Sequence, residues 1–324
     1  MARIIAQQDA LDEALATLQA GLPVAIPTET VYGLAADAAS GEAVARIYEA
    51  KGRPRFNPLI AHVSDMTMAG RVAVFDPLSR RLAEALWPGP LTMVLPLAEG
   101  APIHPLMRAG LDTVAVRMPK GFAAELIAHL GRPLAAPSAN SSGRVSGTTA
   151  QAVDADLGAR IPLIVDGGPT PVGVESTIVK VQGDEVYLLR PGGVTVGEIE
   201  QAVGPIVRRR SGGAVEAPGM LASHYAPAAR VRTNATDVRA GEALLAFGSE
   251  PPEGARHAVS TLNLSPSANL REAAANLFSH LQALDASRAH VIAAAPIPLD
   301  GLGEAINDRL ARAAAPRDIP EPRS

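Results

Sequence analysis

The stretch Lys51-Gly52-Arg53-Pro54-Arg55-Phe56-Asn57-Pro58-Leu59-Ile60-Ala61-His62 restricts the fold more than any other part of the chain. Gly52, Pro54 and Pro58 keep most of it out of a regular helix. Lys51, Arg53 and Arg55 therefore sit on a stiff, non-helical loop, which suits the holding of something anionic. The alternative is a solvated charge cluster, but a merely solvated face needs no rigid loop. A second polar loop, Pro137-Ser138-Ala139-Asn140-Ser141-Ser142-Gly143, lies between apolar runs. Neither loop is a Walker motif, because the chain contains no Gly-Lys dipeptide. A nucleotide bound here would need a different architecture.

At 324 residues the chain is long enough for two domains, each with a core. Hydrophobic residues make up 47% and charged residues 19%, the balance of a soluble globular protein. A net charge of −4 gives no global attraction to nucleic acid, so any such contact must be a local patch. The absence of cysteine removes disulfides, thiol nucleophiles and cysteine-ligated zinc together. The N-terminus lacks a signal-peptide apolar region and no segment is long enough to span a bilayer, so the expectation is a cytoplasmic protein without membrane contact.

Residues 9–20 carry apolar positions at helical spacing and stop at Gly21. Val24-Ala25-Ile26 reads as a short buried strand that enters the Thr28-Glu29-Thr30 turn, and a helix over 41–50 leads into the cationic loop. Strands are expected at 59–63, 91–95, 113–118, 163–166 and 177–181, with 185–189 closing a hairpin through Gly183-Asp184. Helices are expected at 78–86, 121–131 and 195–203. This mixed order predicts an open α/β sheet, partly antiparallel through hairpins. A Gly/Pro-rich connector follows over 208–229. A second α/β pattern then has strands at 243–248 and 291–295, helices at 267–286 and 303–315, and a proline-rich tail. The expected units are 1–207, 208–229 and 230–324.

Arg190, before Pro191-Gly192-Gly193, puts another cation at a strand terminus, where ligands tend to bind in open α/β sheets. Arg117 ends an apolar strand, and a buried arginine wants a carboxylate or phosphate. A purely structural reading pairs it with Glu29 or Glu175. The Ser/Asn loop at 137–143 offers donors to phosphate or ribose, or serves only as a run of turns. Glu175-Ser176-Thr177 has the same ambiguity. The histidines show no metal-ligand spacing, no GxSxG elbow is present, and Gly301-Leu302-Gly303 lacks the third glycine of a dinucleotide fingerprint. From residues alone the chain is an α/β protein with a cation-rich, hydroxyl-rich concave site suited to a nucleotide plus a small carboxylate, and the chemistry stays open.

Five segments in order resemble the threonylcarbamoyl-AMP synthases that join a YrdC-like catalytic domain to a C-terminal extension. They are Pro27-Thr28-Glu29-Thr30-Val31-Tyr32-Gly33-Leu34, Lys51-x-Arg53, Pro137-Ser138-x-Asn140, Ser176-Thr177-Ile178-Val179 and Leu189-Arg190-Pro191-Gly192-Gly193. Ala217-Pro218-Gly219-Met220 and His224-Tyr225-Ala226-Pro227 are similar to the linker of the two-domain members. The resemblance implies a YrdC-like open, twisted mixed parallel/antiparallel sheet with flanking helices, plus a smaller Rossmann-like α/β C-terminal domain. It also implies a nucleotidyltransferase that makes threonylcarbamoyl-AMP and pyrophosphate from L-threonine, bicarbonate or CO2, and ATP with Mg2+. The product would serve N6-threonylcarbamoyladenosine formation at position 37 of tRNA.

By the same resemblance, Lys51 and Arg53 are catalytic. ATP contacts fall on Arg53, Asn57, Thr113, Ser138, Asn140, Ser146, Arg190 and Tyr225, and L-threonine contacts on Thr30, His62, Arg117, Ser176 and the backbone at Ala136. Leu221-Ala222-Ser223 stands where some relatives carry basic residues. Further partners implied are tRNA or the downstream threonylcarbamoyl-transferase complex. Two alternatives compete: an RNA-binding module helped by Arg208-Arg209-Arg210, and a carbamoyltransferase, which the missing cysteines oppose.

Overall fold

The computed structural model describes residues 1–205, 207–208, 216–219 and 224–316. Arg209, Arg210, Leu221, Ala222, Ser223 and the tail from 317 onward lie outside the described residues. The first strands and helices are β1 (Arg3–Ala6), α1 (Leu11–Gln19), β2 (Val24–Ile26), β3 (Gly33–Asp37), α2 (Gly41–Lys51), β4 (Ile60–His62), α3 (Met66–Val72), α4 (Pro77–Leu86) and β5 (Leu91–Pro96). They continue as β6 (Thr113–Arg117), α5 (Phe122–Leu130), β7 (Leu134–Ala135), α6 (Ala150–Leu157), β8 (Leu163–Asp166), β9 (Thr177–Gln182), β10 (Glu185–Arg190), α7 (Val196–Val203) and β11 (Val207–Arg208).

These strands form one sheet in the order β1-β8-β2-β3-β7-β4-β6-β5-β9-β10-β11. Pairing is mixed: β4 runs parallel to β6, while β5 with β6 and β9 with β10 are antiparallel. The expected hairpin is present, with Gly183 at φ 61°. Helix ends follow local chemistry. Ser40 accepts from the Ala43 amide to start α2, and Gly52 in the left-handed region (φ 58°) stops it. A reciprocal Thr195/Glu198 capping box starts α7.

After the connector come β12 (Arg230–Arg232), β13 (Ala243–Ala246), β14 (Thr261–Asn263), α8 (Leu270–Ala286), β15 (Val291–Ala294) and α9 (Leu302–Ala314). The four strands make an all-parallel sheet in the order β12-β15-β13-β14. Its core is not self-contained. Leu277, Phe278, Leu281, Ile306 and Leu310 pack in one cluster with Val31, Val145 and Val174 from the first unit. Each such valine contributes about 1.5–3 kcal/mol when buried, so the two sheets are held together by shared apolar surface.

Gly173 is a point of close backbone approach in that contact. It has φ 76°, and a Cβ there would lie 2.3 Å from the Ala274 carbonyl oxygen and the Ala275 Cα on α8. Both neighbours are backbone and cannot swing aside. Gly173→Ala is therefore expected to force the units apart and cost about 1–3 kcal/mol, on the scale of overpacked cores. A urea midpoint equal to that of the parent chain would contradict this packing account.

Candidate active site

The cationic stretch folds into the wall of a cavity that the mixed sheet and the connector line together. Because Gly52 ends α2, the chain turns at once and carries Arg53 inward, while Arg55 and Phe56 stay exposed. Arg53 is buried. Its Nη2 donates to Asn57 Oδ1 and the Pro58 carbonyl, both at 2.7 Å, and its Nε donates to the Asn57 carbonyl at 3.1 Å. Burial pulls its pKa down to about 10, which leaves it a cation at neutral pH.

Arg190, at the end of β10, is also buried. Its guanidinium donates to the Ser176 carbonyl (2.8 and 3.1 Å), the Ser176 hydroxyl (3.2 Å) and the Pro218 carbonyl of the connector (3.3 Å). Close approach of two backbones makes this possible, since a Cβ on Gly192 would sit 2.3 Å from the Glu175 carbonyl oxygen. Among the described residues, neither Arg53 nor Arg190 has a carboxylate within ion-pair distance.

Arg117 differs. Its Nη2 lies 2.9 Å from Glu29 Oε2, its Nη1 donates to Thr30 Oγ1 at 3.0 Å, and its Nε donates to the Gly89 carbonyl at 3.3 Å. The structural pairing considered from sequence is thus present with Glu29, and Glu175 is used elsewhere. The 2.9 Å contact is an ion pair by distance only, because Nη2 makes no aligned hydrogen bond. That nitrogen has directional capacity to spare.

Arg53, Ser138, Arg190 and Tyr225 from the expected nucleotide set line the cavity, as do Thr30, His62, Arg117, Ala136 and Ser176 from the expected threonine set. Lys51, Asn57, Thr113, Asn140 and Ser146 do not line it. Lys51 is buried behind the wall, with Nζ donating to the Ser138 carbonyl at 2.5 Å and to the Asn140 carbonyl. Its own carbonyl accepts from the Ser142 amide. Lys51 therefore clamps the Ser/Asn loop from both ends. Burial, and then the charge of Arg53, holds its pKa well below the usual lysine range. Asn57 orients Arg53, Asn140 donates to the Ser141 and Arg144 carbonyls, and Ser146 donates to Glu175 Oε1 at 2.5 Å. Thr113 is half-buried at the start of β6.

Several wall residues carry no site role in the sequence reading, although it names them in motifs or as a structural partner: Thr28, Glu175, Pro218, Gly219 and His224. Glu175 immediately precedes Ser176 and His224 precedes Tyr225, so adjacency to a chosen residue was the available signal. The basic run proposed for RNA is only partly described, and Arg208 within it pairs with Glu304.

The family model described as Telomere recombination (Sua5_yciO_yrdC) matches residues 16–192, and that described as Threonylcarbamoyl-AMP synthase, C-terminal domain, matches residues 194–315. A threonylcarbamoyl-AMP synthase of Bacillus subtilis is 41% identical, covering 95% of this chain and 93% of its own. One of Pyrococcus abyssi is 41% identical over 93% of each chain. The crystal structure of P. abyssi Sua5 complexed with L-threonine matches with a TM-score of 0.87 at 37% identity, covering 96% of this chain and 97% of that one. A mixed sheet with an arginine-lined cavity, joined to a parallel α/β unit, is thus a two-domain architecture shared end to end. The chain belongs to the threonylcarbamoyl-AMP synthase family, whose members are enzymes.

Two buried histidines give the site a pH signature. Burial, and then Arg117, pushes His62 down to about 3, and burial pushes His224 down to about 3. A histidine kept neutral in the fold but free to protonate when unfolded stabilises fully above its unfolded pKa near 6.5. That stability is lost as pH falls from there towards 3. Each should cost about 2 kcal/mol between pH 7 and pH 5, at about 1.4 kcal/mol per unit. Against desolvation, Arg309, Arg190 and Ser146 hold Glu175 below the usual glutamate range, so it acts only in more acid solution. Urea midpoints at pH 7 and pH 5 should therefore converge by about 2 kcal/mol in His62→Gln relative to the parent. An unchanged pH dependence would show that His62 is not held neutral.

Proposed function

We propose that the chain catalyses L-threonylcarbamoyladenylate synthesis, with 1–207 as the catalytic unit, 208–229 as the linker and 230–324 as the second domain. The observation that carries this reading is the pair of buried arginines, Arg53 and Arg190, that face one cavity with no carboxylate of the described residues in ion-pair contact. A buried cation without a counter-charge is costly, and a bound anion relieves that cost. Arg117, Thr30, His62 and Ser176 line the same cavity and offer a guanidinium and two hydroxyls to a small hydroxylated amino acid.

The amine of L-threonine and bicarbonate-derived CO2 form a carbamate. A carbamate oxygen attacks the α-phosphorus of ATP, a P–O bond forms there, and the bond to the bridging oxygen breaks to release pyrophosphate. No protein nucleophile is required. Catalysis then rests on positioning and on stabilising charge at the phosphates. Arg53 and Arg190 would hold the phosphates directly, and Lys51 would act by fixing the Ser138 loop. Asn57, Asn140 and Ser146 would likewise shape the nucleotide end from behind the wall, with Thr113 at its margin. Tyr225 would close it from the linker.

Among the described residues no three His, Asp or Glu side chains are grouped to hold a metal, and Glu175 in the wall is already engaged. Magnesium would therefore enter with ATP as its chelate rather than in a cage of three protein ligands. The product would be passed to tRNA modification in the cytoplasm.

Incubation with ATP, L-threonine and bicarbonate is expected to release pyrophosphate, and omission of threonine or bicarbonate should abolish the release. Arg117→Lys is expected to weaken threonine binding by about 10-fold or more while ATP affinity changes little, because lysine cannot offer a planar fork to a carboxylate. Calorimetric titration of each ligand checks this. Equal losses for both ligands would remove Arg117 from the threonine seat.

A further inference from the structure

Arg309 lies on α9 in the second unit, yet its guanidinium reaches the back of the catalytic cavity. It is fully buried, at 0% exposure. Its Nε donates to Glu175 Oε2 at 2.8 Å, and its Nη1 donates to the Pro191 carbonyl at 3.0 Å and to Asp308 Oδ2 at 2.6 Å. Its Cζ sits 5.0 Å from the centre of the Tyr225 ring, which also meets the His224 ring at 4.1 Å and Phe278 of α8, stacked at 5.6 Å. Glu175 and Tyr225 are both cavity walls.

Two features of this arrangement point to the ligand rather than to packing alone. Glu175 is the carboxylate on a wall that otherwise presents Arg53, Arg117 and Arg190. Left uncompensated, it would repel an incoming polyphosphate in a medium where charges are poorly screened. Arg309 cancels that charge from behind. The second feature is Tyr225, a non-glycine residue at φ 60°. Such a backbone persists only where the surroundings hold it, and here Arg309 and Phe278 grip the ring from the second unit.

We propose that Arg309 is a positioning residue for the nucleotide end of the site, neutralising Glu175 and fixing Tyr225, so that the second domain completes the catalytic cavity. The inference rests on the adenylation reading above. A role confined to holding the fold would lower stability and disturb both substrates alike. A nucleotide-end role predicts a split. In Arg309→Met the KM for ATP should rise at least about 10-fold, as misplacement by about an ångström can cost more than that, while the KM for threonine moves less than about 2-fold. Removing the carboxylate as well, in Glu175→Gln/Arg309→Met, should return the ATP KM to within about 3-fold of the parent, since replacing a buried pair together is far milder than orphaning one member.

Pyrophosphate release measured against each substrate for the parent, the single and the double variant reads this out, with melting curves alongside. A normally folded Arg309→Met with parental ATP KM would overturn the proposal, as would equal rises in both KM values or a double variant no better than the single. If Arg309→Met does not fold, Arg309→Lys carries the test. Its ammonium keeps the charge but cannot fork between Glu175 and Pro191, so its ATP KM should rise about 5-fold alone, and an unchanged ATP KM would overturn the proposal. Failure of the parent chain itself to release pyrophosphate would instead refute the underlying reaction.

Discussion

Two guanidinium groups kept out of water, with no carboxylate of the described residues in ion-pair contact, govern the design of this molecule. Arg53 and Arg190 make do with carbonyl, amide and hydroxyl oxygens, which satisfy their N–H groups without cancelling their charge. Neutral acceptors make this tolerable, and the remaining field is directed into the cavity. Everything close by serves to hold those acceptors still. Asn57 is fixed by Tyr48, whose hydroxyl donates to its carbonyl at 3.1 Å. Ser176 is fixed by its hydroxyl contact with Thr92 at 2.7 Å. The site is preorganised by hydrogen bonds that a ligand need not make for itself.

Much of the fold was legible because its signals are local. Apolar spacing and glycine caps marked α1 and α2 to within one or two residues, and β2 and β8 matched residue for residue. Three of the elements that escaped reading lack such signals. β3 is Gly33-Leu34-Ala35-Ala36-Asp37, wholly buried but poor in the branched and aromatic residues that announce a strand. β7 is two residues long, and α6 mixes alanine with polar residues over only eight. Their conformation is set by neighbours in the sheet rather than by their own composition.

The site was legible in the same unequal way. Residues that touch the cavity by direct projection, such as Arg53, Arg117, His62 and Ser176, stand in segments whose pattern is visible along the chain. Partnerships across the fold were not. Glu29 was weighed beside Glu175 as the companion of Arg117, and nothing linear separates the two. Lys51 reads as a charge stabiliser at the phosphates, and two of its three Nζ donors go to the Ser138 and Asn140 carbonyls. Charge type is written in a sequence, whereas the direction in which a buried side chain points is decided by the packing around it.

The contact between Glu175 and Arg309 spans 134 positions of the chain. A ribosome adding roughly 5–20 residues per second would take on the order of ten seconds to pass from one to the other. For that interval the emerging catalytic unit would carry a carboxylate without its Arg309 partner and a valine face at Val31, Val145 and Val174 with no helix of the second unit against it. Both are resolved by the arrival of the same helices, α8 and α9. The molecule therefore has a built-in order of assembly, in which a growing chain cannot present a finished nucleotide cavity before most of it has been made.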